Sequence, residues 1–265
     1  SAASQTVLVD PGVEPAGPRP AFPISILGLG GGGVEDRDIR LTHMPTIYGP
    51  QVSEHAVSLV LAVSRRLYDY DELQEAGRWQ RKHDGMTDLY GDVACVVGLG
   101  NIGEATAKRC RAFGMTVRGV KRTVEGYDGA AHEVYTQNDL LEALDGARVV
   151  LLVVPLTDET RGMIGADELA VCRDDAILVN AARGPVVETG ALTDALDAGT
   201  IRAAGLDVFD EEPLPPESPL WDREDVYLTP HVAGWSDKLP RRSREVFEEQ
   251  VTAWTADEPL PHRLV

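Results

Sequence analysis

The sequence predicts an α/β fold built on a doubly wound parallel sheet. Two features carry that prediction. From Gly91 onward, short apolar runs alternate with segments of helical period, the pattern of repeated βαβ units. Within that block, Gly98-Leu-Gly100-Asn-Ile-Gly103 sets three glycines between the first apolar run and the first helical segment. Taken in order, Val93–Val97 reads as a buried strand, 101–113 as a helix and 115–120 as the next strand. Residues 138–144 read as a helix and 148–154 as a strand, and 176–180, 203–208 and 226–228 complete the set of strands. Ahead of the block, residues 53–67 read as one long apolar-rich helix, with Ser53 as its N-cap and Glu54 in its first turn. After it, 238–254 reads as a closing amphipathic helix. The first fifty residues are poorer in pattern. Residues 6–9 suggest a strand, but Pro11, Pro15, Pro18, Pro20 and Pro23 follow, and between Gly28 and Gly33 only Leu29 is not glycine. Such a stretch builds little of a domain. Either this lobe is abbreviated, or the sequence lacks segments that complete it.

Charge narrows the class of partner. Asp and Glu number 43 against 25 Lys and Arg, for a formal charge of −18. That field repels nucleic acid and anionic membrane surfaces. It also repels an anionic substrate, so a site for one needs its own local positive charge. Lys82, Lys108, Lys121 and Lys238 are the only lysines. Acid-rich, lysine-poor surfaces resemble those of halophilic proteins, because salt screens the self-repulsion; an ordinary acidic cytosolic protein is the plainer reading. The longest apolar runs, such as 149–154, have the length of strands and fall far short of a bilayer span. The N-terminal Ser-Ala-Ala-Ser has no basic or apolar signal region, so the expected location is cytoplasmic. Cys95, Cys110 and Cys172 lack CxxC spacing, and His43, His55, His83, His132 and His262 lack HExxH or clustered spacing. No disulfide framework and no metal site are expected.

The glycine turn has the spacing GxGxxG directly after a strand and opening a helix, the context in which that motif is informative. Gly98 permits the tight turn, Gly100 lets backbone approach a pyrophosphate, and Gly103 allows helix and strand to pack closely. With Asn101 and Ile102 between them, these residues form the expected phosphate site of a Rossmann-type unit, on a helix N-terminus. An NAD-preferring site carries Asp or Glu about 20 residues further on, to bind the ribose 2′-hydroxyl. Here Lys121 stands 18 residues past Gly103, followed by Arg122 and Thr123, with no carboxylate. Two cations and a hydroxyl suit a 2′-phosphate, so NADP(H) is the expected cofactor, with NAD(H) tolerated.

Three further segments end presumptive strands on the same edge: Asn180-Ala-Ala-Arg183-Gly184, the run from Gly205 through Asp207 to Glu212-Pro213, and Thr229-Pro-His231-Val-Ala-Gly234. Ligands bind outside the carboxyl ends of strands in such sheets. Delivering a hydride to a keto carbon requires a proton for the developing alkoxide, and His231 is the side chain suited to give it. A carboxylate against the ring, assigned to Glu212, favours a protonated imidazole in general. Arg183 would hold a substrate carboxylate and polarise the carbonyl. Asp207 is better placed for a nicotinamide carboxamide, or for backbone, than for proton transfer. Taken singly, each residue also has a plain reading: a surface ion pair for Arg183, an acidic loop for Glu212, a loop histidine for His231.

Together these segments, with Ser53-Glu54-His55-Ala56 and the run from Val154 to Gly162, resemble the D-isomer-specific 2-hydroxyacid dehydrogenases over residues 53 to 265. The resemblance implies reduction of a small 2-keto acid to its D-2-hydroxy acid, an Arg183/Glu212/His231 trio, and a homodimer supported by the helix from Ser53. It implies two domains flanking a cleft: dinucleotide-binding at 53–235, and a smaller flavodoxin-like substrate domain, here abbreviated, at 1–52 with 236–265. Pro155 and Thr160 fall where that family lines the cofactor cleft, and Ala181 and Asp207 fall beside the nicotinamide. Two departures stand out. Lys121 replaces the family's acidic residue, as in its NADP-using glyoxylate/hydroxypyruvate reductases, and the N-terminal lobe is about half the family's. The Gly30–Gly33 run is a candidate stand-in for the family's carboxylate-binding glycine loop. Formate dehydrogenases share the fold but carry Gln where Glu212 stands, and many phosphoglycerate dehydrogenases add a regulatory domain. A cofactor-sensing, corepressor-like binding module also keeps the trio and is the alternative from a different class.

Overall fold

The computed structural model describes residues 5–8, 39–81 and 85–263. The chain divides into two compact units, Ser1–Tyr48 with Trp235–Val265, and Gly49–Gly234. In the smaller unit, β1 (Gln5–Leu8) pairs in parallel with β2 (Ile39–Thr42). The proline-rich stretch and the Gly30–Gly33 run lie outside the described residues.

The larger unit opens with two helices, α1 (Gly49–Ser64) and α2 (Leu67–Glu75). It continues through β3 (Val93–Val97), α3 (Asn101–Ala112), β4 (Thr116–Val120), β5 (Glu133–Tyr135) and α4 (Leu140–Leu144). Then come β6 (Val149–Leu152), α5 (Ala166–Ala170), β7 (Ile177–Asn180), α6 (Thr189–Asp197), β8 (Ala203–Leu206) and β9 (Val226–Leu228). The closing helix, α7 (Leu239–Thr255), returns to the smaller unit. There Met44, Ile47 and Val246 form a small core, and Thr42 Oγ1 donates to Gln250 Oε1 at 3.1 Å.

The seven strands of the larger unit run in the order β5-β4-β3-β6-β7-β8-β9, every pair parallel. The strand order therefore reverses between β3 and β6, and all carboxyl ends share one edge. A ligand crevice forms at such a switch point. The strands β6, β7 and β8 are buried along their whole length, which is why the sequence shows apolar runs there rather than alternation. Successive side chains feed two cores. Ala94, Val96, Val149 and Leu151 pack with Ala56, Leu59 and Val60 of α1 and Ala107 of α3, whereas Cys95, Val97, Val150 and Leu152 pack with Leu144, Leu169 and Leu192.

The first helix differs from the expectation. It starts a turn earlier, at Gly49, so Ser53 is not a cap. Ser53 Oγ donates back to the carbonyls of Gly49 and Pro50, at 2.6 and 2.9 Å, as an interior serine does. The helix also stops at Ser64 instead of reaching Leu67, because Arg66 turns left-handed (φ 50°) and its guanidinium pairs with Asp69 at 2.7 Å. Residues 138–144 divide into a single tight turn at Gln137–Asp139 and α4. Among the described residues no helix is long and apolar enough to cross a membrane.

Candidate active site

The glycine turn follows β3 directly. Gly98 has φ +103°, and a Cβ there would lie 2.8 Å from Val154 Cγ1 and 2.9 Å from the Val153 carbonyl oxygen. A Cβ on Gly103 would collide with the Gly98 carbonyl, so the turn closes only with glycine at both places. Around Gly100 the space is open, with nothing within 4 Å of a Cβ built there. This residue precedes α3 and gives it no side-chain cap, so the helix start presents its first-turn amides, from Asn101, Ile102 and Gly103, along the axis. An uncapped helix start beside an open backbone face fits the pyrophosphate of a dinucleotide.

Past the end of β4, the Lys121 ammonium lies 5.0 Å from the centre of the Tyr127 ring. It lines an open groove of about 630 Å³ with Leu99, Lys108 and Arg111. Arg122 reaches Glu159 at 3.6 Å, with both side chains largely exposed, and Thr123 is exposed beside it. On the other side of the switch point Pro155 is exposed, whereas Thr160 is buried. The Thr160 hydroxyl donates to the Pro155 carbonyl at 2.6 Å and accepts from the Thr157 amide at 2.8 Å, so it fixes the turn after β6.

After β7, Ala181 extends the pairing by donating to the Leu152 carbonyl at 3.2 Å. The buried Asn180 then shapes the loop: Oδ1 accepts from Ala182 N and Nδ2 donates to the Arg183 carbonyl, both at 3.0 Å. Arg183 is exposed and donates to the Ala182 carbonyl at 2.6 Å, and among the described residues no carboxylate pairs with it. Gly184 comes next because the backbone of Phe209, from the loop after β8, fills the place of a Cβ.

That loop carries Glu212. Its Oε1 accepts from the Phe209 amide at 3.0 Å, and its Oε2 lies 2.6 Å from Nδ1 of His231. The sequence-predicted pair is thus in direct contact, with Arg183 on a neighbouring loop of the same edge. His231 adopts φ +53°, a left-handed conformation uncommon outside glycine, and its amide donates to the carbonyls of Asp207 and Thr229. Unusual backbone of this kind clusters at functional sites.

Asp207 explains how the turn is held. Its side chain is fully buried. One carboxylate oxygen accepts from Thr229 Oγ1 at 2.6 Å and Val232 N at 3.0 Å, and the other accepts from Ala233 N at 2.9 Å. Burial alone would raise this carboxyl above the ordinary value, but the hydrogen bonds from His55, Thr229, Ala233 and Val232 outweigh it and hold it below. Asp207 thus makes backbone contacts, with the amides of Val232 and Ala233. Asn180, Thr229 and His55 had no assigned role in the sequence reading. All three stand in segments that carry the family resemblance, Asn180 and Thr229 as short polar residues at strand ends and His55 in Ser53-Glu54-His55-Ala56. The contact of His55 with Thr229 spans 174 residues and leaves no local signal. Among the described residues no group of three or more His, Cys, Asp or Glu side chains is arranged to hold a metal ion.

Residues 57–233 match the NAD binding domain of the D-isomer specific 2-hydroxyacid dehydrogenases. A glyoxylate reductase from Korarchaeum cryptofilum is 36% identical over 239 residues, covering 86% of this chain and 70% of that protein. A D-3-phosphoglycerate dehydrogenase from Methanocaldococcus jannaschii is 33% identical, and the match covers 86% of this chain and 45% of that one. A D-isomer specific 2-hydroxyacid dehydrogenase from Xanthobacter autotrophicus, solved with NADPH and MES, superposes with a TM-score of 0.73 at 33% identity, over 86% of this chain and 93% of that chain.

Proposed function

Because this chain belongs to the D-isomer specific 2-hydroxyacid dehydrogenase family, we propose that it reduces a small 2-keto acid to the D-2-hydroxy acid with NADPH as the preferred reductant. The observation that carries the proposal is the His231–Glu212 contact at 2.6 Å, on the sheet edge that also carries the glycine turn and Arg183, which has no carboxylate partner among the described residues. The nicotinamide cofactor, when bound, supplies the hydride. Arg183 holds the substrate carboxylate and polarises the keto oxygen, which takes the developing negative charge. Glu212 fixes the ring of His231 through Nδ1, which leaves Nε2 to pass a proton to that oxygen. In the reverse direction Nε2 takes the proton from the hydroxyl. Asp207 keeps the His231 turn in place from below.

The first amides of α3, with Gly98, Gly100 and Gly103, would hold the pyrophosphate. Lys121, Arg122 and Thr123 would hold the 2′-phosphate, while Ala181, Pro155 and the turn fixed by Thr160 would line the nicotinamide side. A homodimer and a cytoplasmic, salt-loving source complete the reading, on family resemblance and on the charge of −18. The test is the rate of oxidation of NADPH and of NADH against glyoxylate, hydroxypyruvate and pyruvate, at low and high salt. Turnover with a higher kcat/KM for NADPH, strengthened by salt, is expected. Cofactor binding without turnover by any keto acid would favour the binding-module reading instead, and a higher kcat/KM with NADH would overturn the cofactor preference.

A further inference from the structure

The loop that carries His231 is buttressed by α1 at two points. The buried Gln51 donates to the Gly234 carbonyl at 3.3 Å, and His55 Nε2 lies 2.9 Å from Thr229 Oγ1 and 3.2 Å from Asp207 Oδ1. We propose that His55 is a positioning residue for the reaction at His231, acting through Thr229 and Asp207; this rests on the functional reading above.

The hydrogen-bond directions fix what His55 does. Asp207 Oδ1 only accepts, so the Thr229 hydroxyl at 2.6 Å spends its proton on the carboxylate. Thr229 Oγ1 can then only accept from the imidazole, and His55 Nε2 carries the hydrogen. The chain of donors therefore runs from His55 to Thr229 to Asp207. Asp207 in turn accepts the amides of Val232 and Ala233, while its carbonyl accepts the amide of His231. Thr229 on one side of His231 and Val232 and Ala233 on the other are thus tied to one carboxylate, and His55 completes its set of donors. The helix delivers His55 rigidly, since Ala56, Leu59, Val60 and Val63 of α1 lie in the core beneath the sheet. Loss of the His55 donor leaves Thr229 and Asp207 one partner short and lets the turn relax, which moves Nε2 of His231 off the substrate oxygen.

The side chains of Gln and Asn separate this role from simple space filling. An amide nitrogen in His55→Gln falls near the place of Nε2, whereas in His55→Asn it falls near the place of Nδ1. In the full chain, kcat for the keto acid falls about tenfold in His55→Leu and His55→Asn, the misalignment cost of a displaced catalytic group, while KM for the cofactor stays unchanged. His55→Gln restores most of the wild-type kcat. Hydrogen exchange at the amides of Val232 and Ala233 quickens in the Leu and Asn variants and not in the Gln variant. A wild-type kcat in His55→Leu, or an equal loss in His55→Gln and His55→Leu, overturns the inference. A wild type that turns over no keto acid overturns the functional reading alone. His55 is then judged on exchange, where equal protection in wild type and His55→Leu overturns its role in holding the turn.

Discussion

Replacing Asp207 by Asn should destabilise the larger unit and disable the site together. The carboxylate accepts Thr229 Oγ1, Val232 N and Ala233 N, and lies 3.2 Å from His55 Nε2. An amide oxygen can replace only one carboxylate oxygen. Its best place is that of Oδ1, which serves three of these four groups. The amide NH₂ then faces the Ala233 N–H, donor against donor. A buried donor left unpaired costs about 1–3 kcal/mol, and the surviving bonds lose their charge assistance, so the total is about 3 kcal/mol. At roughly 2–4 °C per kcal/mol for a chain of this size, Tm should fall by about 6–12 °C. Dependence on pH adds a signature. The folded carboxyl titrates below its ordinary value. Its contribution to stability is therefore present above the unfolded pKa and disappears as the pH falls through the folded one. The wild type should lose stability across that acid window more steeply than Asp207→Asn. The assay is thermal unfolding by circular dichroism at neutral and acid pH, with keto-acid turnover measured on the same samples. A Tm within about 2 °C of wild type, corresponding to under about 1 kcal/mol, together with unchanged turnover would refute the account of how the His231 turn is held.

Three other outcomes follow from the same geometry. Lys121→Asp combined with Arg122→Ala should reverse the cofactor preference toward NADH, because each charge-assisted phosphate contact is worth about 1.5–3 kcal/mol; the ratio of kcat/KM values for the two cofactors reads it directly. Gly103→Ala drives a methyl group into the Gly98 carbonyl. It should abolish cofactor binding in a fluorescence titration and lower Tm. Arg148, 2% exposed, joins the carboxylates of Asp175 and Asp92 at the start of β6. Arg148→Met should cost about 2 kcal/mol in denaturant unfolding, discounted because both acids are partly exposed and Arg173 stays beside them. The hydrogen bond from Arg173, ahead of that from Arg148, holds Asp175 below its ordinary value, so this network supports the fold above the unfolded carboxylate pKa and fails as the pH falls through the folded one.

The central strands were legible because both their faces are covered, which turns them into short apolar runs such as Val149–Leu152. Elements with weaker patterns were not. The strand Glu133–Tyr135 has three residues, and the helices Leu67–Glu75, Ala166–Ala170 and Thr189–Asp197 are one to three turns long amid Asp, Gly and Thr. The start of the first helix was misplaced because a serine ahead of an apolar run looks like a cap, yet Ser53 bonds backward into a helix already formed. At the candidate site, the meeting of Glu212 and His231 was legible because both follow strands whose carboxyl ends share one edge of the parallel sheet. The supports beneath them were not. The bonds of Asn180 stay within its own loop, but that of His55 to Thr229 depends on where the chain returns after folding, and no periodicity or spacing encodes that.

The central claim is that His231 exchanges the proton in a nicotinamide-dependent keto-acid reduction. Consumption of NADPH with glyoxylate or hydroxypyruvate, measured side by side for the wild type and His231→Asn, tests it most directly. The account predicts turnover by the wild type and a loss of about 10²–10⁴-fold in His231→Asn, with NADPH binding unchanged. Comparable rates in the two proteins would contradict it.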